Sequence, residues 1–170
     1  MNVDAIAATR IQGKTVHGLL MNIYPVLSSY PIMDSEFILQ GGRKIQTALD
    51  YIHKKGYVHM DVKASNIFVH QETGQWLLGD YGACVKIGSE ITSTTFGYYP
   101  LKLLGLAARV EYDYYMLGVC LCIQYDKQNG PRCQFMDDYD CLKVSVLKQF
   151  VHGLADEELK NFICTLITFD

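Results

Sequence analysis

Charge is scarce in this chain. Asp, Glu, Lys and Arg make up 19% of its 170 residues, against about 25% in an ordinary globular protein. The formal net charge is -3, so electrostatics give no reason to expect nucleic acid or an anionic membrane surface as a partner. Long apolar runs are missing too. No stretch approaches the ~18 uninterrupted apolar residues of a membrane-spanning helix. The start, MNVDAIAATR, has neither the basic residues nor the apolar core of a secretory signal. Six cysteines are present, but no CxxC pair and no Cys/His spacing that suits zinc. Without a secretory signal they read as reduced thiols, and the expected location is intracellular, cytoplasmic or nuclear.

Apolar residues are plentiful, at 49%, enough for one domain with its own core. DAIAATRI, QGKT and VHGLLMNIYP predict two strands joined by a glycine-containing turn. From Ser35 the period changes: Ile38, Ile45, Leu49 and Ile52 form a helical stripe. Asp34 or Ser35 can cap its start and Gly56 follows its end. Gly41 and Gly42 are expected to interrupt this helix, since glycine disfavours a helix interior. NIFVH, QETG and QWLLGD predict a hairpin. DYGACVKIGSEITSTTFGYYP reads as a long ordered loop, and YDYYMLGVCLCIQY, apolar all round, as a buried helix. DDYDCLKVSVLKQFVHG and ADEELKNFICTLITF predict two more helices, with DDYD and ADEE as solvated helix starts. The order is α+β: strands, a helix, a hairpin, a loop, then helices.

The chemistry concentrates in VHMDVKASNIF, residues 58–68. His59, Asp61, Lys63 and Asn66 lie there between apolar flanks, and Asp80-Tyr81-Gly82 follows after the hairpin. The hairpin returns Asp80 to the neighbourhood of Asn66. Two carboxylates, a carboxamide and an ammonium then share one place, which is the inventory that phosphoryl transfer needs. A carboxylate must orient an attacking hydroxyl and accept its proton, a role that suits Asp61. Hard oxygen ligands must hold Mg²⁺, which suits Asn66 and Asp80. A cation must offset charge on the transferred group, which suits Lys63.

HMDVKASN resembles the catalytic loop HRDLKxxN of the protein kinase family, and DYG resembles its DFG. The likeness extends to ALDYIHKKGYVH, to TTFGYYPLK at the end of the activation segment, and to DYYMLGV, over roughly residues 15–170. The lysine two positions after Asp61 resembles the serine/threonine branch. The resemblance implies a protein-kinase-like fold, with residual N-lobe strands and hinge in residues 1–24 and a mainly helical C-lobe in residues 25–170. It implies ATP and Mg²⁺ as cofactors and a protein as substrate. It places Met21, Asn22, Tyr24 and Phe68 at the adenine, and Asn66 and Asp80 on the metal and phosphates. His59, Tyr81, Gly82 and Asp113 become structural, with His59 packing near Tyr81 and Asp113 accepting backbone N–H groups of the catalytic loop.

Several departures bear on function. Met60 stands where the family has Arg, Tyr81 where it has Phe, and Lys102 where APE has Glu. The residues contain no GxGxxG loop, no strand lysine and no glutamate partner for it, and IQGKT has the spacing of neither phosphate-binding loop. Two expectations follow. One is a serine/threonine kinase working through Asp61, Lys63, Asn66 and Asp80. The other is a kinase-derived pseudoenzyme or interaction module, with a protein partner over exposed strand surface in residues 5–27.

Overall fold

The structure is a computed structural model and describes residues 5–11, 14–20, 24–100, 102–129, 133–137 and 141–168. Strands β1 (Ala5–Ile11) and β2 (Lys14–Leu20) pair antiparallel, with Ala5 opposite Leu20 and Ile11 opposite Lys14. Met21 and Asn22, two of the expected adenine contacts, lie outside the described residues. So do the side chains of residues 5–23, most of the span 5–27 on which uncovered apolar surface is expected; at the described end of that span Leu27 is fully buried instead.

Helix α1 (Ser35–Lys54) starts at Asp34, whose carboxylate accepts the Phe37 N–H at 2.8 Å. Glu36 in the first turn and His53 and Lys54 in the last complement the helix dipole. Gly56, at φ +85°, takes the left-handed turn that ends it. Ile38, Ile45 and Leu49 are fully buried. Ser35 is no cap; its hydroxyl donates to Asp156 at 2.6 Å, tying this end of α1 to the N-cap of α4 (Glu157–Leu166).

The expected interruption at Gly41–Gly42 does not occur, because α1 runs unbroken through both glycines. They serve packing. A Cβ at position 41 would stand 2.2 Å from the ring of Trp76, and one at position 42 would stand 2.9 Å from Leu121 and Phe162. The missing side chains admit α1 to strand β5 (Trp76–Leu78), to α2 (Val110–Asp126) and to α4. Helix α2 is buried on every side, from Tyr115 to Cys122 without a break, as a helix with apolar residues all round must be. Its Gly118 is covered by Ile167 in the same way.

Helix α3 (Val144–His152) begins later than the sequence predicts. The Asp137 carboxylate caps a turn by accepting the Cys141 N–H at 2.8 Å, and Met136 bridges Leu142 ahead of the helix. Asp138, Tyr139 and Asp140 lie outside the described residues. The long loop is also more structured than expected. It contains a 3-10 turn, Tyr81–Ala83, and strand β6 (Val85–Lys86), which pairs with β3 (Tyr57–Val58). Strands β4 (Ile67–Val69) and β5 form the anticipated hairpin. No helix among the described residues is long and apolar enough to cross a membrane.

Trp76, the single tryptophan, reports directly on the Gly41 contact. Gly41→Ala gains helix propensity of about 1 kcal/mol but forces a methyl into a rigid ring, an overpacking cost of about 1–3 kcal/mol. We expect a melting temperature lower by up to about 8 °C with a shifted tryptophan emission. A higher melting temperature would show that propensity outweighs the contact.

Candidate active site

The candidate site hangs from one buried carboxylate. Asp113 sits in the first turn of α2 with no solvent exposure. Its Oδ2 accepts the His59 N–H at 2.7 Å and its Oδ1 the Met60 N–H at 2.8 Å. Oδ2 also meets His53 Nε2 at 2.8 Å. His53 in turn contacts the Tyr114 hydroxyl, which donates to Asp50 at 2.6 Å. Burial first, and then the Asp50 carboxylate, push the Tyr114 hydroxyl well above its usual range. A buried charge needs this saturation with donors to be tolerated.

Two N–H groups held by one carboxylate fix an unusual backbone. Met60 is at φ 64°, in the left-handed region that a methionine rarely enters. The Met60 side chain is fully buried, and Asp61 emerges half-buried on the other side of this bend. His59 braces the bend from within. Its Nε2 donates to the Gly79 carbonyl at 3.0 Å, and its Nδ1 accepts the Asp61 N–H at 3.3 Å. Its ring stands edge-on to Tyr81 at 5.2 Å. The extra hydroxyl of Tyr81 finds a partner in the Leu78 carbonyl at 3.2 Å.

Every acceptor position of Asp61 is engaged. Oδ1 takes the Thr95 N–H at 3.1 Å and the Thr95 hydroxyl. Oδ2 takes the Asn66 amide at 2.8 Å and the Lys63 ammonium at 2.8 Å. Burial works against ionisation here, yet the hydrogen bonds from Lys63, Thr95 and Asn66 together outweigh it and hold the carboxyl below its usual range. Lys63 also donates to Thr95 Oγ1 at 2.6 Å. One hydroxyl therefore lies between the carboxylate and the ammonium.

Asn66 is 5% exposed and ends a 3-10 turn, Ala64–Asn66. Both of its amide donations go to Asp61, one to the side chain and one to the carbonyl at 2.9 Å. That orientation leaves Oδ1 as the group available to a cation. The β4–β5 hairpin closes with the Gly79 N–H on the Asn66 carbonyl at 2.9 Å, which delivers Asp80 next to Asn66. Asp80 is exposed, at φ 53°, and Gly82 donates its N–H to Oδ1 at 3.3 Å. Two hard oxygen donors, one neutral and one anionic, fit Mg²⁺, which keeps several of its own waters. Among the described residues there is no cluster of three His, Cys, Asp or Glu that would favour another metal.

Of the residues expected at the adenine, two are described. Phe68 is half-buried; its ring covers Gly79, where a Cβ would stand 2.6 Å away. Val26 bridges Phe68, and the Pro25 carbonyl accepts the Val69 N–H at 2.9 Å. These contacts bring Tyr24 to the hairpin, with its ring 4.9 Å from His70. Sequence reasoning missed two members of the site. His53 gave no signal beyond one histidine in a helical run, and Thr95 marked a motif without showing that it bonds Asp61.

With this geometry in hand, comparison with known proteins is specific. Residues 19–166 match the family described as Protein kinase domain. The serine/threonine-protein kinase ArnS of Sulfolobus acidocaldarius is 31% identical over 153 residues, covering 78% of this chain and 24% of that protein. Serine/threonine-protein kinase 1 of Lymantria dispar multicapsid nuclear polyhedrosis virus is 28% identical over 169 residues, covering 90% of this chain and 60% of that protein. The chain thus spans less than two thirds of the length of either relative.

Removing Asp113 strands two buried N–H groups and His53. Asp113→Ala should cost roughly 2–5 kcal/mol in urea unfolding, at least twice the cost of Asp61→Ala. Equal small costs would contradict the tethering role.

Asp61 also carries a pH signature. A depressed carboxyl contributes stability above its unfolded-state pKa, about 3.9, and loses it as pH falls through the folded value. The stability advantage of the wild type over Asp61→Asn should be the same at about pH 7 and 5 and shrink at about pH 3. An advantage unchanged at all three would mean that the bonds to Asp61 do not favour its charged form.

Proposed function

Since the chain belongs to the protein kinase family, and within it to the serine/threonine class, we propose that it transfers the terminal phosphoryl group of ATP to a serine or threonine hydroxyl of a protein. The observation that carries this reading is the Thr95 hydroxyl, which donates to Asp61 Oδ1 and accepts from Lys63 Nζ. An incoming alcohol needs those same two partners, a base for its proton and a cation beside its oxygen. Asp61 orients the acceptor hydroxyl and takes its proton as the new O–P bond forms and the bond to ADP breaks. Lys63 offsets negative charge on the transferred group. Asn66 Oδ1 and the Asp80 carboxylate would hold Mg²⁺, which when bound neutralises charge on the ATP phosphates. Phe68 and Tyr24 supply aromatic surface on the adenine side.

The base is prepared for this work. Its ionised form is favoured by the surrounding donors, so at neutral pH it is ready to accept a proton. Asn66 holds it from both main chain and side chain, which limits its movement relative to the metal side. Met60 supplies no cation beside Asp61 for a phosphorylated loop residue to pair with, so the fixed geometry comes from Asp113 instead.

In calorimetric titration, ATP affinity should rise with Mg²⁺. Asp80→Ala should remove that metal-dependent gain while leaving the melting temperature within a degree or two. Equal ATP affinity with and without Mg²⁺ in the wild type would sink the metal assignment. With labelled ATP, Asp61→Asn should lower transfer to a protein acceptor by about 10²–10⁴-fold. Transfer that is insensitive to that change would remove Asp61 from the chemistry.

A further inference from the structure

The outer face of the β3–β6 pair carries large apolar side chains that the fold leaves in water. Tyr57 stands opposite Lys86 in that pair and is 41% exposed, while Val58, opposite Val85, is fully buried. Ile87 follows at the first corner of a tight turn, closed by the Ser89 N–H on the Lys86 carbonyl at 3.0 Å with Gly88 at φ +82°. Such a corner ordinarily takes a polar or turn-forming residue, yet this isoleucine is 47% exposed. Its N–H donates to the Gly56 carbonyl at 2.9 Å, which fixes the turn to the end of α1. There Tyr51 is 64% exposed, with the Lys55 ammonium 5.6 Å from the centre of its ring. Tyr51, Lys54 and Lys55 fall at i, i+3 and i+4 and so share one face.

Single apolar residues in water need no explanation, but adjoining ones do. Tyr57 and Ile87 adjoin across Lys86, and Tyr51 is linked to them through Lys55 and Gly56. Lys54, Lys55 and Lys86 are all exposed, and none forms an ion pair among the described residues. Of the acids nearest in the chain, Asp50 accepts the Tyr114 hydroxyl, and Glu90 lies past the turn in a bridge to Ala107. In a chain of net charge -3 this face is a local surplus of positive charge. We propose that it is a docking surface for an acidic segment of a partner protein that carries aromatic or aliphatic anchors. The carboxylates of such a segment meet the lysines, and its apolar side chains cover Tyr57 and Ile87. Two tyrosines suit the contact, since their rings bury a large area while their hydroxyls stay wet. The main chain beneath is already held by α1 and the β3–β6 pair, so little order has to be gained on binding. An anionic membrane fits less well, because these lysines are fewer than the roughly four to eight that hold a protein at such a surface. No residue of the surface belongs to the candidate active site, so the proposal stands or falls apart from the catalytic reading.

The test measures fluorescence anisotropy on the full chain, with a labelled short peptide of glutamates around one phenylalanine and one leucine. In one control peptide glycines replace the two apolar residues, and in another lysines replace the glutamates. The wild type should bind the acidic apolar peptide about tenfold tighter than either control. Raising salt to about 1 M should weaken that binding. Lys86→Glu should weaken it about tenfold and Ile87→Ser about fivefold, both with unchanged melting temperature. Should Lys86→Glu lower the melting temperature, Lys55→Gln combined with Lys86→Gln takes its place with the same expectation. Lys143→Glu, the same change of charge just ahead of α3, should leave binding as it is. An equal loss in Lys86→Glu and Lys143→Glu would reduce the effect to net charge and overturn the proposal. Equal binding of all the peptides, or binding of none, overturns it too. Vesicles of phosphatidylcholine with phosphatidylserine are the last probe. Sedimentation of the wild type with them, lost in Lys86→Glu and not matched by peptide binding, would make the face a membrane surface and remove the protein partner.

Discussion

A single carboxylate placed where water cannot reach it governs this molecule. Asp113 would be intolerable in an apolar helix if it were unpaired, and it is tolerated because α1 and the segment after β3 bring it donors. The dependence runs both ways. The His59 and Met60 N–H groups lie in a bend with no strand partner among the described residues, and Asp113 satisfies both. The left-handed backbone at Met60 is a conformation that the local sequence disfavours. It persists because the two N–H groups are pinned to one side chain.

The strands around the site are too short to stand alone. β3 and β6 have two residues each, and β4 and β5 have three, below what a hairpin needs for independent stability. Their precision is borrowed from the helices. Trp76 links the two layers: it lies in β5 and its ring covers Gly41 of α1. Phe37 meets the same ring edge-on at 6.0 Å. The hairpin that carries Phe68, and delivers Asp80, is thus held by a helix whose glycines were shaped for that contact.

The sequence made some of this legible and concealed the rest for identifiable reasons. Asp61, Asn66 and Asp80 could be grouped because their separations are short and a hairpin is a local structure with a strong signal. The stripe Ile38, Ile45, Leu49 announced α1 because burial on one face imposes a period. Gly41 and Gly42 misled, since propensity is local and their partners, Trp76, Leu121 and Phe162, are distant in sequence. DDYD misled because acidic residues before an apolar run cap turns as readily as helices, which is what Asp137 does. The bond from Thr95 to Asp61 spans 34 positions of irregular chain, and no periodicity encodes such a contact. The pairing of His53 with Asp113 spans 60 and was hidden for the same reason.

The imidazole of His59 touches both halves of the site, with one nitrogen on the Asp61 N–H and the other on the Gly79 carbonyl. The ring is a fixed spacer between those two main-chain points, one at Asp61 and one at the residue before Asp80. Moving either point relative to the other requires one of the two hydrogen bonds, at 3.3 and 3.0 Å, to break.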